Sequence, residues 1–447
     1  MFLTLSEVCA ALSLDSPAFD LNLTGVSTDT RTIKPGNLFV ALVGANFDGH
    51  DYVSRAFELG AAAAVVGRSL KSDLGLVLVV SDTLHAYGNI ASCWRGRFHI
   101  PVVAVTGSVA KTTTKEMLAC ALDSLGSVLK SELNENNEVG VPQTLLRLNS
   151  GHRAAVIEMG MRGPGQIKYL AELVKPTIGI VTMIGESHIE ILGSRDAIAD
   201  AKGELLQSLP AGSTALLNKD DIYFERLSRK TSGDIRTFGR SVGADVRVAS
   251  DVRGKDGRQI QLEVTSETYL LNIHSPAGHD AVNAAGAVAV AIAAGVPAGR
   301  AVDGLERYRP SHMRMEILRS RSGGTILSDC YNAAPSSLKS ALQTLAEMEC
   351  SGKKSAFLGD MRELGDYSRQ MHAEIHEEAT RLEIDEVYSI GEAMTAAFPN
   401  KHAAFANSAE AAEYVAESFK LKADDIALVK GSRALELEKV VEALVRL

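Results

Sequence analysis

The stretch from Val102 to Lys115 limits what this chain can fold into more than any other part of its sequence. Its first four residues are apolar and suit a buried parallel strand, and residues 115–122 have the spacing of an amphipathic helix. The turn between strand and helix is therefore predicted to lie at a helix N-terminus. There, unpaired backbone N–H groups and the helix dipole attract anions.

This turn reads Thr-Gly-Ser-Val-Ala-Lys-Thr-Thr-Thr, and its residue types suit a phosphate site. Gly107 and Ser108 open it, Lys111 can reach terminal phosphates, and the hydroxyl of Thr112 or Thr113 can bind Mg²⁺. An ordinary strand-turn-helix with a solvated lysine has the same outline. The order of residues directly after an apolar strand favours the phosphate site.

One residue of the turn departs from the pattern. A nucleotide-binding loop usually has glycine directly before its lysine, because the backbone approaches phosphate closely and often needs a positive φ. This chain has Ala110 there. A positive φ at alanine would cost about 1 kcal/mol.

The length of the chain and the alternation of predicted elements indicate an α/β protein of three domains. At 447 residues the chain is too long for one ordinary core. We predict a small α/β domain over 1–85, a central P-loop-type domain with a mostly parallel sheet over 86–312, and a Rossmann-like domain over 313–447. The segment from Gly304 to His312 is predicted to link the last two.

Periodicity also predicts individual elements. Residues 236–275 alternate like antiparallel strands, and the Ala- and Val-rich residues 284–294 predict a buried helix. Further strands are predicted at 38–43, 153–158, 177–182, 324–328, 355–359, 386–390, 402–405 and 426–430.

The composition excludes several classes of protein. With 46% hydrophobic and 23% charged residues the chain is neither disordered nor fibrous, and a net charge of −9 without a Lys/Arg-dense stripe argues against broad nucleic-acid binding. No apolar run approaches the roughly 20 residues of a membrane span and no leader is recognisable, so we expect a cytoplasmic protein. Five scattered cysteines indicate neither a disulfide framework nor a zinc site.

Polar residues of the first segment lie on predicted loops beside a strand. Ser27, Thr30 and Arg31 belong to one turn-rich run, and Asp48 and His50 belong to another. Such loops bind polar, phosphorylated ligands such as a nucleotide-sugar, or they simply form turns. Composition alone leaves both interpretations open.

Two predicted strands of the central domain carry metal-binding residue types at their ends. Glu158 ends one strand, and His188 follows another. Ligands of parallel α/β sheets bind beyond the carboxyl ends of the strands, so these residues should converge with the phosphate turn. A carboxylate and an imidazole beside a triphosphate suit magnesium, whereas either residue alone would be explained as a surface acid or a structural histidine.

Lys202 lies in a predicted helix over 196–208. A lysine in such a place is normally solvated. Desolvated beside metal ions, it would instead lose its proton and act as a nucleophile. The sequence leaves these two states open.

Polar residues also follow two strands of the third segment. Asp329 follows one strand, and Lys430, Ser432 and Arg433 follow another. Two cations and a hydroxyl at the start of a helix suit a carboxylate ligand. A helix cap would explain the Gly-Ser pair but not both charges.

Together these segments resemble the Mur ligases of bacterial cell-wall synthesis. The resemblance covers all three segments. It rests on Ser27-Thr-Asp-Thr-Arg31, Asp48-Gly-His-Asp51, Thr106-Gly-Ser-Val-Ala-Lys-Thr112, Asn136-Asn-Glu-Val-Gly-Val-Pro142, Glu158-Met-Gly-Met-Arg162, Arg314-Met-Glu316, Leu358-Gly-Asp-Met-Arg-Glu-Leu-Gly365 and Lys430-Gly-Ser-Arg433. The Asp-Asn-Pro-Arg sequence of the ligase that adds the preceding diamino acid is absent.

The resemblance implies an ATP-dependent amide ligase. In the branch of the family that these motifs match, the γ-phosphoryl group of ATP passes to the terminal carboxylate of UDP-N-acetylmuramoyl-tripeptide, and the amine of D-alanyl-D-alanine attacks the acyl phosphate. The product is a peptidoglycan precursor, which connects the activity with cell-wall biogenesis, cell shape and cell division. The expected form is a cytoplasmic monomer without nucleic-acid or membrane partners.

The resemblance also implies a role for each matching residue. ATP would be bound by Gly107, Ser108, Lys111, Thr112, Thr113, Asn283, Arg314 and Asp329, the last on the ribose. Two Mg²⁺ ions would be held by Thr112, Glu158, His188 and Lys202, the last as a carbamate. The catalytic residues would be Lys111, His188, Lys202 and Arg314. Substrates would contact Ser27, Thr30, Arg31, Asp48 and His50 at the uridine-diphosphate end, then Asn136 and Asn137, and Lys430, Ser432 and Arg433 at the carboxylate of D-alanyl-D-alanine.

Five positions depart from the family pattern and cluster around the nucleotide: Ala110, Met183, Asp280, Met313 and Ala334. They bear on adenine recognition more than on phosphate transfer. Two alternatives therefore stay open. One is another Mur-type or folylpolyglutamate-type ligase with a different amino substrate, and the other is a degenerate, non-catalytic protein that binds a nucleotide-sugar.

Overall fold

The structure is a computed structural model that describes residues 2–70, 75–254, 257–398 and 402–447. Within these residues, three β-sheets of four, nine and six strands follow one another along the chain. The α/β class and the mostly parallel pairing are as the sequence predicts. No helix of the described part has the length and apolar character needed to cross a bilayer.

The first sheet is small and entirely parallel. It contains β1 (Gly25–Ser27), β2 (Asn37–Val40), β3 (Ala63–Val66) and β4 (Val77–Val79), and its helices are α1 (Leu5–Ala11), α2 (Val53–Glu58) and α3 (Thr83–Arg95). The strand predicted over 38–43 ends earlier, at Val40, because Val43 turns back to form a bridge with Asp48. The proposed domain boundary after residue 85 falls inside α3.

The central sheet runs in the order β13-β12-β11-β10-β9-β8-β5-β7-β6. Its strands are β5 (Val102–Thr106), β6 (Ser127–Lys130), β7 (His152–Glu158), β8 (Ile178–Val181), β9 (Thr214–Asn218), β10 (Asp234–Gly239), β11 (Val246–Gly254), β12 (Gly257–Val264) and β13 (Glu267–Ile273). The predicted antiparallel pairing is confirmed for β11 to β13, whereas β10 is parallel to both neighbours.

The helices of this part are α4 (Lys111–Ala121), α5 (Gly140–Leu146), α6 (Gln166–Val174), α7 (Ile189–Leu192), α8 (Arg195–Gln207), α9 (Phe224–Ser228), α10 (Asp280–Ala293) and α11 (Ala298–Leu305). The predicted buried helix is confirmed as α10. The predicted linker starts two residues later than expected, because Gly304 and Leu305 still belong to α11.

The third sheet runs in the order β14-β15-β19-β16-β17-β18 and is parallel except for β14. Its strands are β14 (Glu316–Arg319), β15 (Thr325–Ser328), β16 (Lys354–Gly359), β17 (Glu386–Ile390), β18 (Ala403–Phe405) and β19 (Ile426–Lys430). The helices are α12 (Pro335–Glu347), α13 (Ser368–Arg381), α14 (Glu392–Ala397), α15 (Ser408–Glu417) and α16 (Glu438–Arg446). The strands predicted here are confirmed to within one residue at each end.

Strand β5 shows why the apolar run of the opening stretch positions the site. All five of its residues are buried. Val102 and Ala104 belong to the hydrophobic core on one face of the central sheet, and Val103 and Val105 to the core on the other face. Both faces are covered, so the strand needs an unbroken apolar sequence, and its carboxyl end opens onto the third domain.

Candidate active site

A cavity of about 700 Å³ lies between the central and third parts of the chain. Strands β5 to β9 end at it, and the chain beyond β15 and the start of α12 close it from the other side. The predicted site residues on its wall are Ser108, Lys111, Thr112, Thr113, Asn136, Asn137, Glu158, His188, Asn283, Arg314, Asp329 and Lys430. The structure therefore brings together most of the residues proposed for ATP and metal.

The backbone of the turn after β5 has a positive φ at two places. Gly107 has φ 153°, and a Cβ atom there would lie 1.9 Å from Oγ1 of Thr182, so only glycine fits. Ala110, at the start of α4, has φ 64° and ψ 4°, the left-handed conformation that glycine adopts most easily. The departure noted in the sequence is thus an alanine in a strained backbone conformation.

Lys111 is folded over the turn that precedes it. Its Nζ donates hydrogen bonds to the carbonyl oxygens of Gly107 at 2.8 Å and Ser108 at 3.4 Å. Burial lowers the pKa of Lys111, Glu158 opposes this shift, and Arg314 adds to it. Arg314 comes from the third part of the chain, so the two cations proposed for the phosphates face the same cavity.

Glu158 is buried at the end of β7, and both of its oxygens have partners. Oε2 accepts a hydrogen bond from Oγ1 of Thr112 at 3.0 Å, and Oε1 accepts one from Nδ2 of Asn136 at 2.9 Å. Its backbone N–H donates to Oγ of Ser131 at 3.1 Å. The convergence predicted from the strand ends is present, because a hydroxyl, an amide and a carboxylate meet beside the phosphate turn.

These donors suit an Mg²⁺ ion that is bound jointly by the protein and by phosphate oxygens. In the described part of the chain, no three His, Cys, Asp or Glu side chains lie close enough together to hold a metal by themselves. Mg²⁺ is usually bound by one or two carboxylates together with substrate phosphates and water. Glu158 with the Thr112 hydroxyl, at the mouth of a phosphate turn, matches that donor set.

His188 adopts a left-handed conformation, with φ 68°, directly before α7. Its Nδ1 lies 2.6 Å from Oε2 of Glu363, which belongs to the third part of the chain. The contact with His188 is the main reason why the pKa of Glu363 is lowered. The backbone oxygen of Glu363 also accepts a hydrogen bond from the N–H of Glu190 at 3.2 Å. Glu363 thereby approaches the imidazole from across the cavity.

Lys202 is buried in α8 and is not on the cavity wall. Among the described residues, its Nζ has no hydrogen-bond or ion-pair partner. Burial, with a smaller contribution from Lys111, lowers its pKa well below the ordinary value. Of the two states that the sequence left open, the structure has the desolvated one.

Arg314 and Asp329 are held by local contacts of the third part. The guanidinium carbon of Arg314 lies 4.1 Å from the centre of the Tyr331 ring, which favours a cation over an aromatic face. Oδ1 of Asp329 accepts a hydrogen bond from the N–H of Met315 at 3.1 Å. Met313 and Met315, on either side of Arg314, both have positive φ, so a tight backbone turn aims this arginine at the cavity.

The predicted carboxylate receptor at the end of β19 is divided in the structure. Lys430 donates to Oδ2 of Asp329 at 2.5 Å. Ser432 accepts a hydrogen bond from the N–H of Arg362 at 2.9 Å, and Arg433 pairs with Glu438 at 2.7 Å. Only Lys430 of the three lies on the cavity wall. Their role toward a dipeptide stays a prediction, and it requires a change of partners.

The residues proposed near adenine form a buried network. Asp280 accepts hydrogen bonds from Oγ of Ser275 at 2.5 Å and from Nδ2 of Asn283 at 3.0 Å. Met183 contacts the phosphate turn through its backbone, because its carbonyl oxygen accepts from the N–H of Ser108 at 2.8 Å. That contact does not depend on the side chain at position 183.

The residues of the first domain that were predicted to bind substrate do not line the cavity. Most of their described contacts are with other residues of the same domain. Arg31 pairs with Asp29 at 2.6 Å, Ser27 donates to the backbone oxygen of Asp29, and the side chain of Thr30 is half-buried on the same turn.

His50 is buried and links two loops. Its Nε2 accepts from the N–H of Gly67 at 2.8 Å, so Nδ1 carries the proton and donates to Asp48 at 2.5 Å. Hydrogen bonds from the backbone and ring of His50, and one from Arg68, lower the pKa of Asp48 to about 2.

Asn136 and Asn137, the pair predicted to bind substrate, have separate structural roles. Asn136 holds Glu158, and Oδ1 of Asn137 accepts hydrogen bonds from the N–H groups of Val139 and Gly140 at the start of α5. Both still lie on the cavity wall.

Sequence reasoning missed three acidic residues of the site. Besides Glu363, buried Glu186 contacts Arg195 and accepts from the N–H of Ser336 at 3.4 Å. Burial raises the pKa of Asp221, which holds the loop after β8. A signal for Glu363 was present, because it belongs to the motif Leu358-Gly-Asp-Met-Arg-Glu-Leu-Gly365, which continues from the carboxyl end of β16.

Comparison with known proteins agrees with this architecture. Residues 22–116 match the Mur ligase family, catalytic domain, residues 105–291 the Mur ligase middle domain, and residues 313–433 the Mur ligase, glutamate ligase domain. The UDP-N-acetylmuramoyl-tripeptide–D-alanyl-D-alanine ligase of Synechocystis sp. is 38% identical, with 99% of this chain and 96% of that protein aligned.

Two solved structures are similar over nearly the whole chain. One is the UDP-N-acetylmuramoylalanyl-D-glutamyl-2,6-diaminopimelate–D-alanyl-D-alanyl ligase of Acinetobacter baumannii, with a TM-score of 0.85, 29% identity and coverage of 98% of this chain and 97% of that chain. The other is the MurF ligase of Thermotoga maritima in complex with ADP, with a TM-score of 0.86, 27% identity and coverage of 94% and 97%.

Proposed function

The chain belongs to the Mur ligase family, and we propose that it joins D-alanyl-D-alanine to UDP-N-acetylmuramoyl-tripeptide at the expense of ATP. One observation carries the proposal. The phosphate turn, Glu158 and His188 of the central part and Arg314 and Asp329 of the third part line one cavity. A cavity of this kind suits transfer of a phosphoryl group between two bound substrates.

The reaction needs activation because a carboxylate is a poor electrophile at neutral pH. Transfer of the γ-phosphoryl group of ATP to the terminal carboxylate of the tripeptide gives an acyl phosphate and ADP. The amine of D-alanyl-D-alanine then attacks the acyl carbon, the C–O bond to phosphate breaks, and the nitrogen loses a proton. The products are an amide and inorganic phosphate.

The chain contributes position and charge to these steps. The N–H groups at the start of α4 point at the phosphates, and Lys111 exchanges its contacts with Gly107 and Ser108 for phosphate oxygens. Arg314 approaches from the opposite wall. Because Lys111 and Arg314 belong to different domains, movement between the domains would assemble and release the site.

Thr112, Glu158 and His188 are the residues proposed to hold Mg²⁺. When bound, the ions neutralise phosphate charge and polarise the transferring group. Glu158 needs no rearrangement, since Thr112 and Asn136 already fix its two oxygens.

We also propose that Lys202 is carbamylated. A neutral lysine amine adds to CO₂ and releases one proton, which gives an anionic carbamate able to support the second ion. The burial of Lys202 and its lowered pKa support this, because the reacting form is the unprotonated amine. In Lys202→Ala, activity should fall strongly and return in part with added short-chain carboxylates. A fully active Lys202→Ala enzyme would contradict the carbamate.

We further propose which residues bind the nucleotide end of the substrate and where the enzyme acts. Ser27, Thr30, Arg31, Asp48 and His50 would bind the uridine-diphosphate end, and the protein would act as a cytoplasmic monomer in peptidoglycan precursor synthesis, and so in cell shape and division. Internally bonded loops such as His50–Asp48 would offer a preformed surface for this end of the substrate.

Phosphate release from ATP tests the function. It should require Mg²⁺, UDP-N-acetylmuramoyl-tripeptide and D-alanyl-D-alanine together. Turnover with a different amine would support another ligase of the family. Binding of the nucleotide-sugar without any turnover would support a non-catalytic protein.

A further inference from the structure

The cations on the cavity wall differ in whether they have a partner. Three have polar partners: Lys111 on turn carbonyl oxygens, Arg240 on Asp251, and Lys430 on Asp329. Arg314 stacks on Tyr331 and faces the phosphate turn. Arg162 is also on the wall, and its guanidinium makes no hydrogen bond or ion pair with any residue that the structure describes.

The backbone that carries Arg162 is firmly held. Its own N–H and that of Gly163 donate to Oε1 of Gln166 at 2.5 and 3.2 Å. The N–H groups of Gly165 and Lys168 donate to Glu204 at 2.7 and 3.1 Å, so a carboxylate already occupies the start of α6. The guanidinium is thus the charged group of this loop that faces the cavity.

Glu363 is the nearby acid that would be expected to pair with Arg162. Its charge and that of Arg162 interact, since Arg162 contributes to the lowered pKa of Glu363, but the carboxylate contacts His188 instead. Arg162 is exposed to the cavity and remains available to an anionic ligand.

The strand order divides the cavity into two sides. Strands β8, β9 and β10 lie on one side of β5, together with α10 and its residues Asp280 and Asn283. Strands β7 and β6 lie on the other side, and the loops after them carry Arg162 and Asn136. If the nucleoside of ATP lies toward α10 and its phosphates at the turn after β5, the acyl acceptor enters from the side of Arg162.

Building on the proposed function, we propose that Arg162 binds a carboxylate of the acceptor peptide other than the one that is phosphorylated. A glutamyl-diaminopimelate acceptor has two such groups, one on the glutamyl residue and one on the side chain of diaminopimelate. A guanidinium binds a carboxylate through two parallel hydrogen bonds, which gives direction as well as charge. Arg162 is then a specificity-determining residue for the peptide.

Isothermal titration calorimetry and steady-state kinetics with Arg162→Gln test this assignment. The probes are UDP-N-acetylmuramoyl-tripeptides that end in diaminopimelate or lysine, and a third that ends in lysine and has the glutamyl carboxylate converted to an amide. Kd and KM for the diaminopimelate peptide should rise about tenfold or more, because a hydrogen bond to a charged group is lost, while KM for ATP stays unchanged. Arg162→Lys should fall between wild type and Arg162→Gln.

The acceptors identify the carboxylate. A loss confined to the diaminopimelate peptide assigns Arg162 to the third residue, and a loss shared with the lysine peptide but absent for the amide assigns it to the glutamyl residue. Arg153→Gln is the matched control, since Arg153 is an exposed arginine at the far end of β7. Among the described residues its guanidinium donates hydrogen bonds to backbone oxygens alone, so the substitution should leave all constants unchanged.

Two results would overturn the inference. One is an unchanged Kd for all three peptides in Arg162→Gln, and the other is an equal loss for all three. The proposed function fails separately, when the wild-type enzyme shows no phosphate release that depends on D-alanyl-D-alanine. In that case the calorimetric constants of the peptides still decide the role of Arg162.

Discussion

Replacing Ala110 by glycine should stabilise the protein without weakening ATP binding. Ala110 has φ 64° and ψ 4° at the start of α4. A left-handed backbone costs a residue with a Cβ atom roughly 1–2 kcal/mol. Glycine removes that cost, but it gives the unfolded chain more conformational freedom. Losing this freedom on folding costs about 0.4–1 kcal/mol. The free energy of unfolding of Ala110→Gly should therefore rise by about 0.5–1 kcal/mol.

The matched control is Ala334→Gly. Ala334 also precedes a helix, α12, but its backbone is extended, with φ −130° and ψ 157°, and its methyl group is buried. Glycine relieves no strain there and loses packed surface, so the free energy of unfolding should fall by about 1 kcal/mol.

Urea unfolding of wild type and both variants measures these changes, and calorimetry with ATP measures affinity. Opposite signs for the two alanines would attribute the gain at Ala110 to its backbone conformation. A destabilised Ala110→Gly protein would refute the strain argument. A clear loss of ATP affinity in that variant would show that the turn has been reshaped around alanine.

Three further perturbations have defined outcomes. Gly107→Ala should abolish ATP binding in calorimetry, because its Cβ atom would overlap Oγ1 of Thr182; near-normal affinity would contradict this steric argument. Glu363→Gln should weaken Mn²⁺ binding, followed by electron paramagnetic resonance, about tenfold or more, if the carboxylate 2.6 Å from Nδ1 of His188 orients the imidazole when metal binds; unchanged Mn²⁺ affinity would remove Glu363 from that role. The pKa of Asp48 falls from 3.8 to about 2 on folding, so its contribution to stability is present above pH 3.8 and is lost as the pH falls toward 2. Asp48→Asn should thus unfold in less urea than wild type near neutral pH, and the two curves should converge in acid; a constant difference at all pH values would contradict this.

Local pattern was enough to predict much of the fold. The apolar run of β5 predicted a strand that is buried on both faces. The glycine-containing turn before a lysine predicted the start of a helix. The strand ends at Glu158 and before His188 could be placed at one edge because parallel strands share their direction. These inferences depend on neighbours in sequence and on the geometry of a sheet.

Contacts between distant segments could not be predicted in the same way. The pairing of His188 with Glu363 joins residues far apart in the chain, and the burial of Lys202 depends on which helix faces cover it. Lys430 is predicted to bind a substrate carboxylate, and its contact with Asp329 could not be predicted from the sequence.

The sequence alone determined the phosphate turn, the alternation of strands and helices and the resemblance to a family, because each depends on local residue order. The tertiary structure decided which charges have partners. Ala110 is strained because the turn must still meet β5 and α4, and Lys202 is desolvated because α8 packs inward. Arg162 remains without a partner among the described residues because Glu363, the acid beside it, is held by His188. A side chain's protonation and availability depend on the groups that folding brings to it from elsewhere in the chain.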